Sequence, residues 1–362
     1  MNFKRDLKAL LFVFSLLLLL AMGVSANASV KTYHQKGYAL KGGYATHFVN
    51  NGNYAYIPKY SYGASKGYYE NSTYQTSSYT MNAKGGNFRR NARTSIYLPV
   101  SYNWSGDLGN PQSVAISKSG QYAYVMYPFA KTTIVRYDLW KLHSLGVDTN
   151  NMAALRMGVR NRDPQIMSAI KFGPKFYAGH GQSLALNPKT NMLWYVKMDV
   201  VSRAPSLVEV SPTTLKPIKQ IKFKFSGSYS INNELAIDKN GNFYTYVKYR
   251  MQGKSAGRIV IFKGQVKNNH VTFRAIKQGL ANGQGFQTQG MGYNPASNRL
   301  YFVSDGVISS VPVNKLNKLR PRDVRTTKFK TNLEFEGVAF NQAGLGYILT
   351  IRGSQLFTIN NF

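Results

Sequence analysis

Cysteine is absent from the 362 residues and acids are scarce, with 14 Asp and Glu against 46 Lys and Arg. The first absence excludes disulfides, thiolate zinc sites, iron–sulfur clusters and a cysteine nucleophile. The second leaves a formal charge of +32 at pH 7 and few carboxylates for acid–base chemistry. The histidines (His34, His47, His143, His180 and His270) share no metal-ligand spacing. HExxH, GxSxG, a Walker loop and a GxGxxG in a βαβ setting are all missing. Hence no catalytic residue, metal or cofactor is assigned, and the balance tips away from an enzyme. Hydrophobic residues at 43% and aromatics at 14% still describe a folded body rather than a disordered polycation. A chain this long buries a core without covalent staples.

Long apolar runs are also lacking, with one exception. Lys4, Arg5 and Lys8 precede an apolar stretch at residues 9–24, and the small residues Ser25, Ala26, Asn27, Ala28 and Ser29 follow. A basic head, an apolar stretch too short to span a bilayer and a small-residue exit predict a secretory signal peptide over residues 1–28, cleaved after Ala28. Removing it takes three basic residues and Asp6 away, leaving +30. The remaining residues, 29–362, are expected to be exported as a single domain without a membrane anchor. A cysteine-free exported chain fits a Gram-positive bacterium.

What is present is a repeat. Residues 116–125, 186–196, 237–247, 293–303 and 340–349 each carry a short apolar strand, a turn of Asn, Asp, Pro, Ser or Gly, and an aromatic-rich strand. A degenerate copy occupies residues 48–57. Such turn residues tolerate tight reversal and positive φ, so the unit is a β-hairpin. A third strand and a more polar fourth follow in most copies, as at residues 206–210 and 217–225. Four period-two strands per unit, repeated around a ring, predict an all-β propeller. The small markers His47, Ala115, Ala185, Ala236, Gly292 and Ala339 give six blades, within a range of five to seven. The chain ends just after its last third strand, so residues 30–34 are expected to close the ring by supplying the final blade's outer strand, which would protect its edge.

Three positions before each marker stands a polar residue: Gln112, Gln182, Asn233, Gln289 and Glu336. In a propeller this register lies at the mouth of the axial channel. The ring either binds a ligand there or satisfies backbone groups at the strand ends. His180, Glu234 and Glu334 flank it. Asp238, Asn240 and Asn242 resemble the start of a calcium loop, but the glycine is misplaced and the distal Glu missing, so they read as a turn.

Charge is the clearer functional signal. Lys315, Lys318, Arg320, Arg322, Arg325, Lys328 and Lys330 face one acid, Asp323. Lys84, Arg89, Arg90 and Arg93 form a second cluster, and Arg156, Arg160 and Arg162 a third. Such a field concentrates polyanions and weakens with salt. Outside a bacterium these are anionic cell-wall polymers such as teichoic acid, lipid headgroups and acidic glycans; no nucleic-acid-binding signature is present. Tyrosine-rich runs around Tyr54, Tyr56, Tyr60, Tyr62, Tyr68 and Tyr69 offer surfaces for sugar rings.

Residues 233–244, 289–293 and 334–340, with the closing strand at 356–359, resemble the helveticin family, large cysteine-free bacteriocins of lactic acid bacteria. The resemblance spans about the last two thirds of the chain and implies a propeller with antibacterial activity; it carries no site residues. The expectation is a secreted, monomeric, basic propeller retained on the cell wall by charge. Its alternatives are a glycan-binding adhesin and a polysaccharide hydrolase or lyase working at the channel mouth.

Overall fold

The computed structural model describes residues 29–52, 61–63, 78–100, 108–128, 131–148, 151, 153–198, 204–225, 231, 233–249 and 257–362. The expected signal peptide lies outside the described residues, as do Tyr54, Tyr56, Tyr60, Tyr68 and Tyr69. No helix among the described residues is long and apolar enough to cross a membrane.

Among the described residues five sheets are formed, each built outward from a short inner strand. Blade I comprises Ser113–Ile116, Tyr122–Tyr127, Thr133–Asp138 and Ile170–Phe172; blade II comprises Ala185–Asn187, Met192–Met198, Pro205–Val210 and Pro217–Lys224. Blade III runs through Ala236–Ile237, Phe243–Tyr249, Arg258–Lys267 and Gln278–Leu280, with His270–Ala275 folded back on the third strand. Blade IV comprises Gly290–Asn294, Arg299–Ser304, Val307–Pro312 and Arg325–Phe329, and blade V comprises Glu334–Phe340, Gly346–Ile351 and Gln355–Ile359. Each inner strand contacts its two neighbours, so the ring runs from blade I through V and back to I.

The hairpin chemistry is local. Each inner turn carries a residue in the left-handed region: Gly120, Asn191, Gly241, Asn298 and Gly344. Side chains brace the turns. Asn187 Oδ1 accepts from the Lys189 amide, Asn294 Oδ1 from those of Ala296 and Ser297, and Asn341 Oδ1 from that of Leu345. Asp238 Oδ1 accepts from the Asn240 and Asn242 amides, while its Oδ2 accepts from Asn242 Nδ2 and Tyr244 Oη. That carboxylate shapes a turn.

Period-two alternation then sends successive side chains to opposite faces of a blade. Leu193 and Tyr195 pack toward blade I, whereas Trp194 and Val196 pack toward blade III. Five apolar clusters result, one in each gap between blades. Both faces of every blade are buried, which is why the strands read as nearly continuous apolar runs. A buried aromatic such as Phe302 contributes about 1.5–3 kcal/mol, and Phe302 also meets Tyr246 across a gap, edge-on at 5.1 Å.

Two expectations are corrected. There are five blades, not six, because the copy around His47 builds no hairpin of its own among the described residues. Its strand His47–Val49 instead lies parallel to Gln278–Leu280 on the edge of blade III. Nor does the segment at residues 30–34 complete the last blade. Lys31–Tyr38 runs parallel to Pro217–Lys224 on blade II, and Ala39 and Leu40 continue into the core between blades II and III. Blade V takes Ala92–Tyr97 as its fourth strand and Thr80–Met81 beyond it, while Ala83–Gly86 covers blade IV. The described strands Lys31–Tyr38, His47–Val49, Thr80–Met81, Ala83–Gly86 and Ala92–Tyr97 thus form a belt over the outer edges of blades II to V. Each blade left an unpaired ladder there, and an added strand satisfies it.

Blade I is finished differently. Between its third and fourth strands sit three short helices, Leu139–Ser144, Ala154–Arg160 and Pro164–Met167. Asp138 and Asp163 cap the first and third of them. Arg156 is fully buried, donating to the carbonyls of Leu98, Gly353 and Ser354. Of the third basic cluster read from sequence, this residue is a tie between the insertion and blade V, and it presents no charge to solvent.

Candidate functional site

The small markers sit where the inner strands crowd the axis. A Cβ on Gly292 would run into the Val338 carbonyl. From there to the hairpin turns the axis encloses about 60 Å³, lined by Ala115, Ala185, Ala236, Met291 and Val338 among others. That is far below the ~300 Å³ at which small-molecule sites begin.

At the opposite end of the inner strands the polar ring assembles. Gln182 Nε2 reaches Glu336 Oε2 at 2.9 Å and the carbonyls of Gln289, Glu336 and Gln112 at 3.1, 3.3 and 3.5 Å. One side-chain amide therefore spans strand starts from blades I, IV and V and stoppers the channel. Glu336 is buried, and desolvation pushes its carboxyl well above the usual range, outweighing the amides of Gln182 and Gln112 that favour the charged form. Asn233 is half-buried and its Oδ1 has no partner; no hydrogen bond ties it into the ring. His180 is exposed.

Sequence reasoning missed Asp305, Arg352 and Lys248 around this stopper because they come from other strands and loops. Asp305, in the turn after the second strand of blade IV, accepts from Gln289 Nε2, the Phe335 amide and Tyr62 Oη, the last at 2.7 Å. Burial raises its pKa despite those donors. Glu334 pairs with Arg352 at 2.8 Å, and Arg352 stacks on Tyr62 at 4.5 Å. Glu234 is buried, its Oε2 lacks a partner, and desolvation raises its pKa to about 8. Nearby, Lys248 Nζ donates to the carbonyls of Gly285, Phe286 and Gln287, and burial lowers its pKa to about 8. The mouth gathers carboxyls, but no group of three or more His, Asp or Glu among the described residues is placed to hold a metal ion. Its polar atoms mostly satisfy one another.

The basic clusters behave in the opposite way. Blade IV's outer strand pairs with the belt, Lys328 opposite Gly85 and Thr327 opposite Gly86. This brings Lys84, Arg89 and Arg90 against the stretch from Lys315 to Lys330. Phe88 is the joint: Arg90 and Arg325 stack on its ring at 4.5 and 4.6 Å, one from each cluster. Asn87 fastens the joint, donating to the Val324 carbonyl and accepting from the Thr326 amide. Burial and the adjacent Lys84 lower the Lys328 ammonium. Arg89, Arg90, Arg93, Lys315, Lys318, Arg320, Arg322, Arg325 and Lys330 are exposed and Lys328 is half-buried. Asp323 is buried, paired with Lys315 at 2.5 Å, and held below the usual carboxylate range by it. Two clusters separated by over two hundred residues form one cationic rim along blades IV and V.

The topology defines a β-propeller with five blades, an axis closed at one end and a cationic rim. No protein-family model matches the chain, and no curated protein matches it. Among solved structures it is similar to a streptogramin B lyase, at 10% identity and a TM-score of 0.33 over 75% of this chain and 72% of that one. It is also similar to the WD40 domain of Pan2 from Neurospora crassa, at 9% identity and a TM-score of 0.34 over 76% and 74%.

Proposed function

We propose that the chain is an exported propeller whose rim on blades IV and V binds the anionic polymers of the bacterial envelope. The observation that carries this reading is the union of two basic clusters across the Phe88 joint, with the acid nearest in sequence, Asp323, turned inward. A multivalent cationic surface on a rigid sheet edge suits a flexible polyanion, which needs repeated charge contacts and no deep pocket. Glu336 is buried and engaged by Gln182, so this carboxyl does not favour polysaccharide cleavage at the mouth. Tyr62 is engaged by Asp305, which leaves the adhesin reading without support from the described tyrosines near the mouth.

The test is co-sedimentation of the protein with purified Gram-positive cell walls across a salt series, with cell viability scored in parallel. Binding is expected to fall steeply as salt rises, and the triple variant Arg320→Glu, Arg322→Glu, Arg325→Glu to bind at least tenfold more weakly at low salt. Wall binding that is indifferent both to salt and to this variant would overturn the reading. Loss of viability would extend it to an antibacterial protein of the kind the helveticin resemblance implies.

A further inference from the structure

A groove between blades II and III lies apart from both the mouth and the rim. Blade II's register places Trp194 opposite Glu209 and Glu209 opposite Lys219, so the three side chains form a row across the sheet. Trp194 turns toward blade III, meeting Phe243 edge-on at 5.2 Å. Lys219 Nζ stands 5.4 Å from the indole centroid and 2.6 Å from Glu209. The opposite wall is the tip of the long hairpin of blade III, with Lys267 and Asn268, and the inner turn of blade II adds Lys189. Together with their neighbours they surround about 410 Å³, a volume within the range of small-ligand sites.

Two features of this groove lack an internal explanation. Trp194 is 3% exposed, yet its indole Nε1 has no acceptor. A buried donor left unmet costs about 1–3 kcal/mol, and such groups are rare enough to point to a function. Lys189 and Lys267 are exposed, and the one carboxylate lining the groove, Glu209, is engaged by Lys219. The groove therefore offers two exposed ammonium groups, several carboxamides and an aromatic wall with the salt-bridged Lys219 ammonium over its ring.

We propose that this groove binds a hydroxyl-bearing anion the size of one sugar or polyol-phosphate unit. Lys189 and Lys267 take the anionic group through charge-assisted hydrogen bonds. Asn268 takes a hydroxyl. Lys219 turns from Glu209 toward the ligand and uncovers the indole, whose N–H then gains its acceptor. The choice of ligand rests on the envelope-polymer reading, of which one repeat would fill the groove; the site itself stands on its own geometry.

The experiment follows the indole N–H resonance of Trp194 in the ¹⁵N-labelled full chain, identified by its loss in Trp194→Phe. The probes are glycerol 3-phosphate, glucuronate, glycerol and glucose. A saturable shift with an anion, absent with glycerol and glucose, is expected. A response to glycerol 3-phosphate alone marks a polyol phosphate and to glucuronate alone an acidic sugar. Lys189→Gln with Lys267→Gln, both solvent-facing and neutral for folding, should weaken that binding about tenfold. No saturable shift with either anion, an equal shift with the neutral probes, or undiminished binding by the double variant would overturn the proposal. The rim variant at Arg320, Arg322 and Arg325 separates the two ideas. If it leaves wall binding intact while the indole still responds to an anion, the rim reading fails and the groove stands.

Discussion

The channel mouth and the cationic rim treat ionisable groups in opposite ways. At the mouth, Glu234, Asp305 and Glu336 are buried and displaced toward their neutral forms, and Glu334 pairs with Arg352. Along the rim the cations stand in solvent, and the nearby acid Asp323 is turned inward. The contrast extends over the molecule: Glu209, Glu234, Asp238, Asp305, Asp323 and Glu336 are all buried, and Asp163 alone among the described acids is exposed. Counting residues therefore understates the positive field. A chain with few acids has withdrawn most of the described ones, so what a partner meets is more cationic than the composition.

Arg156 breaks that division, being a cation handled as the acids are, and it offers the largest effect. Arg156→Met leaves the carbonyls of Leu98, Gly353 and Ser354 without their donor in a buried gap between the insertion and blade V. A loss of about 3–5 kcal/mol is expected, read as a lower denaturant midpoint. A loss under 1 kcal/mol would show that water replaces the guanidinium and that the gap is not closed.

The mouth itself is probed by pH. Burial raises the folded pKa of Glu234 from the ordinary 4.5 to about 8, so the folded state binds more protons than the unfolded state between those values. Stability from this group is complete below pH 4.5 and declines as pH rises toward 8. Glu234→Gln removes the decline. Relative to the parent, the variant should gain about 3 kcal/mol between pH 4 and pH 7, measured by urea unfolding at both values. A constant difference would mean that Glu234 is ionised in the folded protein, and the contrast between mouth and rim would weaken.

How much of this was legible in the sequence differs by scale. The hairpins were, because Asn, Asp and Gly at positive φ are local requirements, and Asp238 and Gly241 announce a turn wherever they fold. The convergence of Gln112, Gln182, Gln289 and Glu336 was legible too, since a fixed offset from each small marker sets a common height on the axis. The belt was not. His47–Val49 and Ala83–Gly86 are too short to advertise a strand, and their partners are ladder edges that exist only once the blades have formed. For the same reason the His47 copy counted as a sixth blade. The cationic clusters were visible singly, while their union depends on Lys328 meeting Gly85. The row of Trp194, Glu209 and Lys219 had a readable signal, one residue of like phase on each of three consecutive strands, but only pairing register shows that they align.

That dependence on pairing can be tested without altering any charge. Gly86 has φ of +91°, and a Cβ there would run into the Thr326 carbonyl. Gly86→Ala should cost about 2 kcal/mol through clash and backbone strain and lift Ala83–Gly86 from blade IV. Amide exchange should quicken across that strand, and wall binding should weaken although every lysine and arginine remains. Unchanged exchange with unchanged binding would show that the belt does not organise the rim.

The smallest expected effect is the one that best separates stability from function. Arg320, Arg322 and Arg325 are exposed, and among the described residues only Arg325 of the three has an aromatic contact, with Phe88. Surface substitutions without buried partners usually change stability by no more than ~0.5 kcal/mol. In a body with so large an excess of Lys and Arg over Asp and Glu, replacing these arginines with glutamates also relieves self-repulsion. Thermal unfolding of the triple variant should therefore match or slightly exceed the parent at low salt, and the two should converge as salt screens the field. A folded, equally stable protein that no longer binds walls would mean that the rim is kept for a partner at some expense to the fold. Marked destabilisation would instead assign the arginines to blade IV itself, and their charge would need no ligand to explain it.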